Sequence, residues 1–250
     1  MAEKLLVPIY VPNWLHDPLV RLKRAIIPQA EPPSQPEPPP IPKIDIIAER
    51  DVEWSFMSAE MPNGPGEAFD FGCEYGYMSL LAAQKGFHVT ANDLQDQKFM
   101  WQHPNVEFCR GDFLSLKLPP NQFDLVINCS SVEHVGVAGR YGIQEEQSDA
   151  DLDVMAGLTN VLKPGGCFLT TLPCGRDAVM APWNRVYGKE RLPRLLRSAQ
   201  VVKERYWVKN SENQWIESDR ESALNFEPRC DPENSHACAY ALAGFVLTKH

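Results

Sequence analysis

The sequence predicts an α/β domain built on a doubly wound, mostly parallel sheet of seven strands. Two observations carry that expectation. Short apolar runs alternate with helix-patterned stretches from residue 68 to about 200, the order expected of a parallel sheet with helices on both faces. The last two apolar runs, Val201 to Val208 and Tyr240 to Leu247, show no helix pattern between them and so predict an antiparallel hairpin at one edge.

Each element has its own signal. Ile44 to Phe56 reads as a leading helix, Ala68 to Phe71 as the first strand, and Tyr77 to Lys85 as a helix ended by Gly86. His88 to Ala91, Val106 to Cys109 and Phe123 to Cys129 are the next three strands. Asp149 to Leu162 is a helix that is expected to stop at Lys163-Pro164-Gly165-Gly166, where glycine supplies the cap. Cys167 to Leu172 is the fifth strand. Lys189 to Ala199 carries Leu192, Leu195, Leu196 and Ala199 on one face and reads as an amphipathic helix.

Upstream, residues 28–43 hold eight prolines, a composition that favours extended polyproline II. They read as a linker between an N-terminal segment, residues 1–27, and the domain, residues 44–250. The 250 residues carry a net charge of −9 and 44% hydrophobic residues, an ordinary composition for a globular chain. The acidic balance argues against nucleic acid as a main partner, although Arg185, Lys189, Arg191, Arg194 and Arg197 form one candidate basic patch. None of the seven cysteines forms a C-x-x-C pair; they read as reduced, buried residues with no zinc site. No apolar window has the length of a membrane helix and the first residues lack a signal-peptide pattern, so a cytoplasmic protein is expected.

The chemistry is read from motifs at strand ends. Asp70-Phe71-Gly72-Cys73-Glu74-Tyr75-Gly76 follows the first strand and opens a helix; glycines there allow a sharp turn and close approach of a ligand. In Val89-Thr90-Ala91-Asn92-Asp93, an acidic residue ends the second strand. Asp93 lies 23 positions after Asp70 (93 − 70), near the spacing at which a carboxylate accepts hydrogen bonds from a ribose. Arg110-Gly111-Asp112-Phe113 follows the third strand. Phe123-Asp124-Leu125-Val126-Ile127-Asn128-Cys129-Ser130-Ser131 spans the fourth strand and its exit.

Taken in this order, from about Glu67 onward, these segments resemble the class I S-adenosylmethionine-dependent methyltransferases. The resemblance implies a Rossmann-like sheet and S-adenosylmethionine as cofactor. It implies that Asp70, Gly72 and Gly76 cradle the amino-acid part, that Asp93 binds the ribose, and that Asp112 and Phe113 meet the adenine. Asn128 falls at the end of the fourth strand, near the transferred methyl. Glu74 stands where the family's middle glycine usually sits. A nicotinamide-dependent oxidoreductase is the rival on the same fold, but its G-x-G-x-x-G spacing is missing.

Residues 123 to 207 further resemble an uncharacterised methyltransferase-like group with S-S-x-E-H, G-R-Y-G and R-x-Y-G-x-x-R-L-P segments. His134 is the candidate base, since imidazole titrates near neutrality, and Glu133 is its candidate partner. Two adjacent groups make only a partial metal site, so no metal is expected. Arg140, Tyr141, Asn184, Arg185 and Tyr187 are candidate binders of an anionic or hydroxyl-rich acceptor. The expected activity is methyl transfer to a hydroxyl of a small molecule or sugar. A non-catalytic module that binds S-adenosylmethionine is the alternative.

Overall fold

The computed structural model describes residues 44–231 and 233–249. The expected N-terminal segment and proline-rich linker lie outside the described residues.

An eight-stranded sheet organises the domain, in the order β3-β2-β1-β4-β5-β12-β8-β9. Its parallel part comprises β1 (Gly66–Phe71), β2 (Phe87–Asp93), β3 (Val106–Arg110), β4 (Phe123–Cys129) and β5 (Leu162–Cys174). The fold class is thus the one the sequence predicts. Antiparallel strands continue the sheet: β12 (Ala241–Lys249) lies between β5 and β8 (Ala199–Lys209), and β9 (Trp215–Ser218) extends the edge. The pair read as an edge hairpin is therefore antiparallel but internal on one side, and the eighth strand had no signal. The segment between β8 and β12 also holds a short helix, Arg220–Leu224, and the hairpin of β10 (Arg229–Asp231) with β11 (Asn234–Ala239).

Two helix layers bury the sheet. Helices α1 (Glu49–Glu60) and α2 (Tyr77–Gln84) set Phe56, Met57, Met78, Ala82 and Ala83 against Leu125, Ile127 and Leu169. On the other face α3 (Ala150–Val161) and α4 (Arg191–Leu195) bring Leu152, Met155, Leu158, Leu192 and Leu195 onto Phe69, Phe123, Phe168 and Phe245. Alternation along β4 sends Leu125 and Ile127 to one layer and Val126 to the other, because successive side chains point to opposite faces. A small third cluster packs Met180, Val186, Tyr240 and Leu242 beneath the hairpin of β6 (Ala178–Met180) and β7 (Asn184–Val186).

Three local expectations change. Helix α3 has no glycine cap: Leu162 is already extended and pairs with Phe123, while Cys167 pairs with Leu125. Lys163-Pro164-Gly165-Gly166 is instead a bulge in β5, with Gly165 at φ 78°. Helix α4 covers five residues rather than eleven, because the chain turns at Leu196 and enters β8 at Ala199. Finally, Cys230 and Cys238 form a disulfide across β10 and β11, leaving five free cysteines; the expectation of a wholly reduced chain is corrected. Among the described residues no helix is long and apolar enough to cross a membrane.

Candidate functional site

Strand β1 has β2 on one side and β4 on the other, so chain connections diverge from it in opposite directions. Ligands in open α/β sheets bind outside the carboxyl ends of strands at such a switch point. A cavity of about 380 Å³ lies there, lined by Gly72 and Glu74 after β1, Asp93 at the end of β2, Asp112 and Phe113 after β3, and Ser131 after β4.

The turn after β1 explains its glycines. Gly72 has φ 64° and Gly76 φ 70°, a region open to glycine at no steric cost. An added Cβ on Gly72 would stand 2.5 Å from the Ser131 side chain, and one on Gly76 2.7 Å from Trp101. Gly76 thus closes against Trp101 and Phe99 and starts α2 rather than lining the cavity. Glu74 takes φ 46°, so the turn keeps its left-handed shape although a glycine is replaced.

The turn is tied to β2 through Asp93, whose Oδ2 accepts the Glu74 N–H at 3.1 Å while Oδ1 accepts that of Gln95 at 2.9 Å. Beside it, Asn92 donates to the Cys109 and Gly111 carbonyls, which fixes the ends of β2 and β3 to each other. Asp112 caps a 3₁₀ turn through Ser115, and Phe113 packs between Phe69 and Phe71 while lining the cavity.

Asp70 sits beneath the turn. It is buried, accepts a 2.6 Å hydrogen bond from the Ser79 hydroxyl, and burial pushes its carboxyl up to about 7. It borders a second recess of about 290 Å³, not the main cavity. Asn128 is fully buried with both amide atoms engaged, donating to Thr170 and accepting from the Val132 N–H. It shapes the exit of β4 and does not line the cavity, which corrects its expected place.

The remaining wall comes from a 3₁₀ turn, Val132–His134, and the loop after it. His134 Nδ1 lies 2.6 Å from the Trp183 carbonyl oxygen, so it carries the proton and leaves Nε2 as the acceptor. Burial and then the Arg140 cation hold the imidazole below its ordinary value, so it is neutral at pH 7. Glu133 is 2% exposed, its Oε1 lies 3.9 Å from His134 Nε2, and its Oε2 is buried without a hydrogen-bond partner. Burial pushes this carboxyl up to about 8, which keeps it protonated at neutral pH.

Of the expected acceptor binders, Arg140 and Tyr141 line the cavity, with Arg140 donating to the Trp183 carbonyl and to the Tyr141 hydroxyl. Asn184, Arg185 and Tyr187 do not. Asn184 donates to the Arg185 carbonyl, Arg185 is 1% exposed among Glu146 and Asp151, and Tyr187 donates to Asp151 at 3.1 Å. These three are corrected from ligand contacts to internal ties. Of the candidate basic patch, Arg185 is buried and Arg191 and Arg194 pair with Asp149 or Asp151, while Lys189 and Arg197 are exposed.

One contributor, Arg50, carried no signal in the sequence, and Ser131 stood in a motif without an assigned role. Arg50 on α1 lines both recesses and pairs with Glu53 at 2.7 Å. Ser131 donates to the Gly72 carbonyl at 3.1 Å. Both act across long sequence separations.

Residues 88–226, more than half of the chain, match the family model described as Caenorhabditis protein of unknown function, DUF268. The chain belongs to the DUF268 family. The DUF268 match begins in β2 and ends just after the 220–224 helix, so it contains Asp93, Asp112, the Glu133-His134 pair, Arg140 and β7. It leaves out the glycine turn and Arg50.

No curated protein matches the chain. Solved structures do. A SAM-dependent methyltransferase of the DUF858 family from Leishmania major is similar at 18% identity and TM-score 0.51, covering 81% of this chain and 73% of that one. The protein bound to the Trm112 methyltransferase activator of Haloferax volcanii is similar at 15% identity and TM-score 0.52, over 82% and 92%. The [4+2]-cyclase SpnF is similar at 16% identity and TM-score 0.52, over 80% of both chains. At such identities the likeness establishes the fold: this DUF268 protein has the Rossmann-like architecture of class I methyltransferases.

Proposed function

We propose that the protein binds S-adenosylmethionine in the cavity above β1, β2 and β4 and transfers its methyl group to a hydroxyl of a small-molecule or sugar acceptor. The observation that carries this reading is the Asp93 carboxylate, hydrogen-bonded to the glycine turn at Glu74 and bordering open space. A carboxylate has about four acceptor positions, and two are used by backbone N–H groups, so a ribose diol fits beside them. Phe113 offers a ring and Asp112 a carboxylate where an adenine would rest, and a cavity of about 380 Å³ falls within the ordinary range for ligand sites. Arg50, at the amino-acid end of the turn, adds a cation.

Bound S-adenosylmethionine would supply a methyl carbon already activated by a sulfonium. The chain's part is to align the acceptor, exclude water and take the hydroxyl proton. His134 suits that last role: the Trp183 carbonyl holds Nδ1–H, so Nε2 is free to accept. Burial first, and then the Arg140 cation, depress the imidazole's basicity. An acceptor bearing an anionic group would pair with Arg140 and so offset the smaller of these two causes on binding. This favours a carboxylate- or phosphate-bearing acceptor over a neutral one.

Calorimetry with S-adenosylmethionine and S-adenosylhomocysteine tests the cofactor, and mass spectrometry of a hydroxyl-acceptor panel tests the transfer. Binding without turnover on any acceptor would return the reading to a non-catalytic module. Failure of both ligands to bind would end it.

A further inference from the structure

The cavity wall facing the cofactor side is a single loop, residues 135–147, which contributes Val135, Gly136, Arg140, Tyr141, Ile143 and Gln147 to the lining. A loop of this length would ordinarily be a mobile lid. Here it is closed on itself: Gln147 N–H donates to the Gly136 carbonyl at 2.8 Å, Gly139 N–H to Ile143 at 2.9 Å, and Ile143 N–H to Arg140 at 3.0 Å. The two ends of the loop then meet a side chain from elsewhere. Arg185 Nη2 donates to the Val135 carbonyl at 3.2 Å and to the Gln147 carbonyl at 2.8 Å, and Nη1 donates to Glu146 Oε1. Glu146 in turn accepts the Ala138 N–H at 3.2 Å through its other oxygen.

We infer that Arg185 is a positioning residue that buckles the two ends of the 135–147 loop together and thereby fixes the places of Arg140 and Tyr141 on the acceptor side. The guanidinium's planar fork suits the task, since one rigid group can meet two carbonyls and a carboxylate at once. Its other side faces Asp151 on α3, with Nε 3.5 Å from Oδ1. Asp151 also receives Arg191 and Tyr187, so the buckle is anchored in the core. Strand β7 grips the site twice. Its Arg185 holds the loop ends, and the Trp183 carbonyl just before it holds His134 and the loop's own Arg140. The G-R-Y-G and R-x-Y-G segments, 45 positions apart from Arg140 to Arg185 (185 − 140), are thus two halves of one device.

The inference rests on the proposed acceptor side, but its test reads the loop directly. In Arg185→Lys and Glu146→Gln, checked for folding by circular dichroism, hydrogen exchange at the amides of Ala138, Gly139 and Gln147 is expected to quicken at least tenfold. Glu146→Gln has the smaller effect, because the carbonyl bonds to Arg185 remain. The nitrogen NMR signals of the His134 ring, assigned by loss in His134→Asn, are expected to move from one fixed tautomer toward an average. S-adenosylhomocysteine affinity is expected to stay within about threefold. Unchanged exchange in both folded variants would overturn the inference, as would loss of S-adenosylhomocysteine binding with the loop amides still protected. If wild-type protein fails to bind S-adenosylhomocysteine, the cofactor reading falls while the loop experiment still stands.

Discussion

Glu74 and Asp93 share one hydrogen bond, and each makes a separate prediction. Glu74 holds φ 46°, a conformation that costs an L-residue about 1–2 kcal/mol, whereas glycine enters it freely but loses roughly 0.5–1 kcal/mol of chain entropy on folding. Glu74→Gly is therefore expected to raise stability by about 0.5 kcal/mol in urea unfolding, with S-adenosylhomocysteine binding kept; destabilisation would show that the Glu74 side chain contributes more than its backbone strain costs. Asp93→Ala removes a charged acceptor worth about 1.5–3 kcal/mol. Calorimetry should find S-adenosylhomocysteine affinity lower by roughly ten- to a hundredfold, and an unchanged affinity would remove Asp93 from the site. Gly72→Ala asks for a Cβ 2.5 Å from Ser131. It should destabilise the protein by about 1–3 kcal/mol and break the Ser131 bond to the Gly72 carbonyl.

At the level of elements, α1, the end of β1 and the turn after β4 place several ionisable groups in buried surroundings. Glu49 accepts a hydrogen bond from the Tyr240 hydroxyl and is pushed up to about 7, chiefly by burial. Asp70 beneath the glycine turn stands at about 7 and Glu133 at about 8, again through burial. Each keeps its proton in the folded state over a range where the unfolded chain has lost it. Unfolding then releases protons, and stability falls as pH rises through the folded values. The folded His134 is already neutral while the unfolded one loses its proton near pH 6.5, so the limb above about pH 7.5 belongs to the carboxyls. Glu133→Gln is expected to flatten the fall of melting temperature over that limb. A slope equal to that of the wild type would mean that Glu133 ionises as freely in the folded protein as in the unfolded chain.

The whole molecule separates scaffold from chemistry. The same architecture carries a methyltransferase in Leishmania major and a [4+2]-cyclase in SpnF, so the reaction has to be argued from side chains around the cavity. If the cofactor reading holds, ligand at a hundred times its dissociation constant should stabilise the protein by about 2.7 kcal/mol, seen as a rise in melting temperature with S-adenosylhomocysteine and none with adenine alone. The β10–β11 hairpin adds a covalent tie of eight residues' separation, worth roughly 2.5 kcal/mol by loop closure. Unfolded, unreduced protein should titrate five thiols, Cys73, Cys109, Cys129, Cys167 and Cys174, and seven only after reduction.

The sequence by itself determined the alternation of strands and helices, the order of the motifs and the residues at strand ends. Those are local properties: periodicity marks a strand and its end, so Gly72, Asp93 and Asp112 could be set at strand ends from position, while their expected roles, that of Asp112 above all, came from the family resemblance. Tertiary structure alone decided which polar residues remain open to the cavity. Arg140 and Arg185 both sit in Arg-Tyr-type segments, yet one borders open space and the other is walled in by Glu146, Gln147 and Asp151. Arg50, Ser131 and the Trp183 carbonyl reach the site across separations that no pattern records, and the addition of β9 and the Cys230–Cys238 tie likewise depend on which segments meet. Burial is a property of neighbours rather than of sequence, and it is burial that turns an arginine from a ligand contact into a buckle.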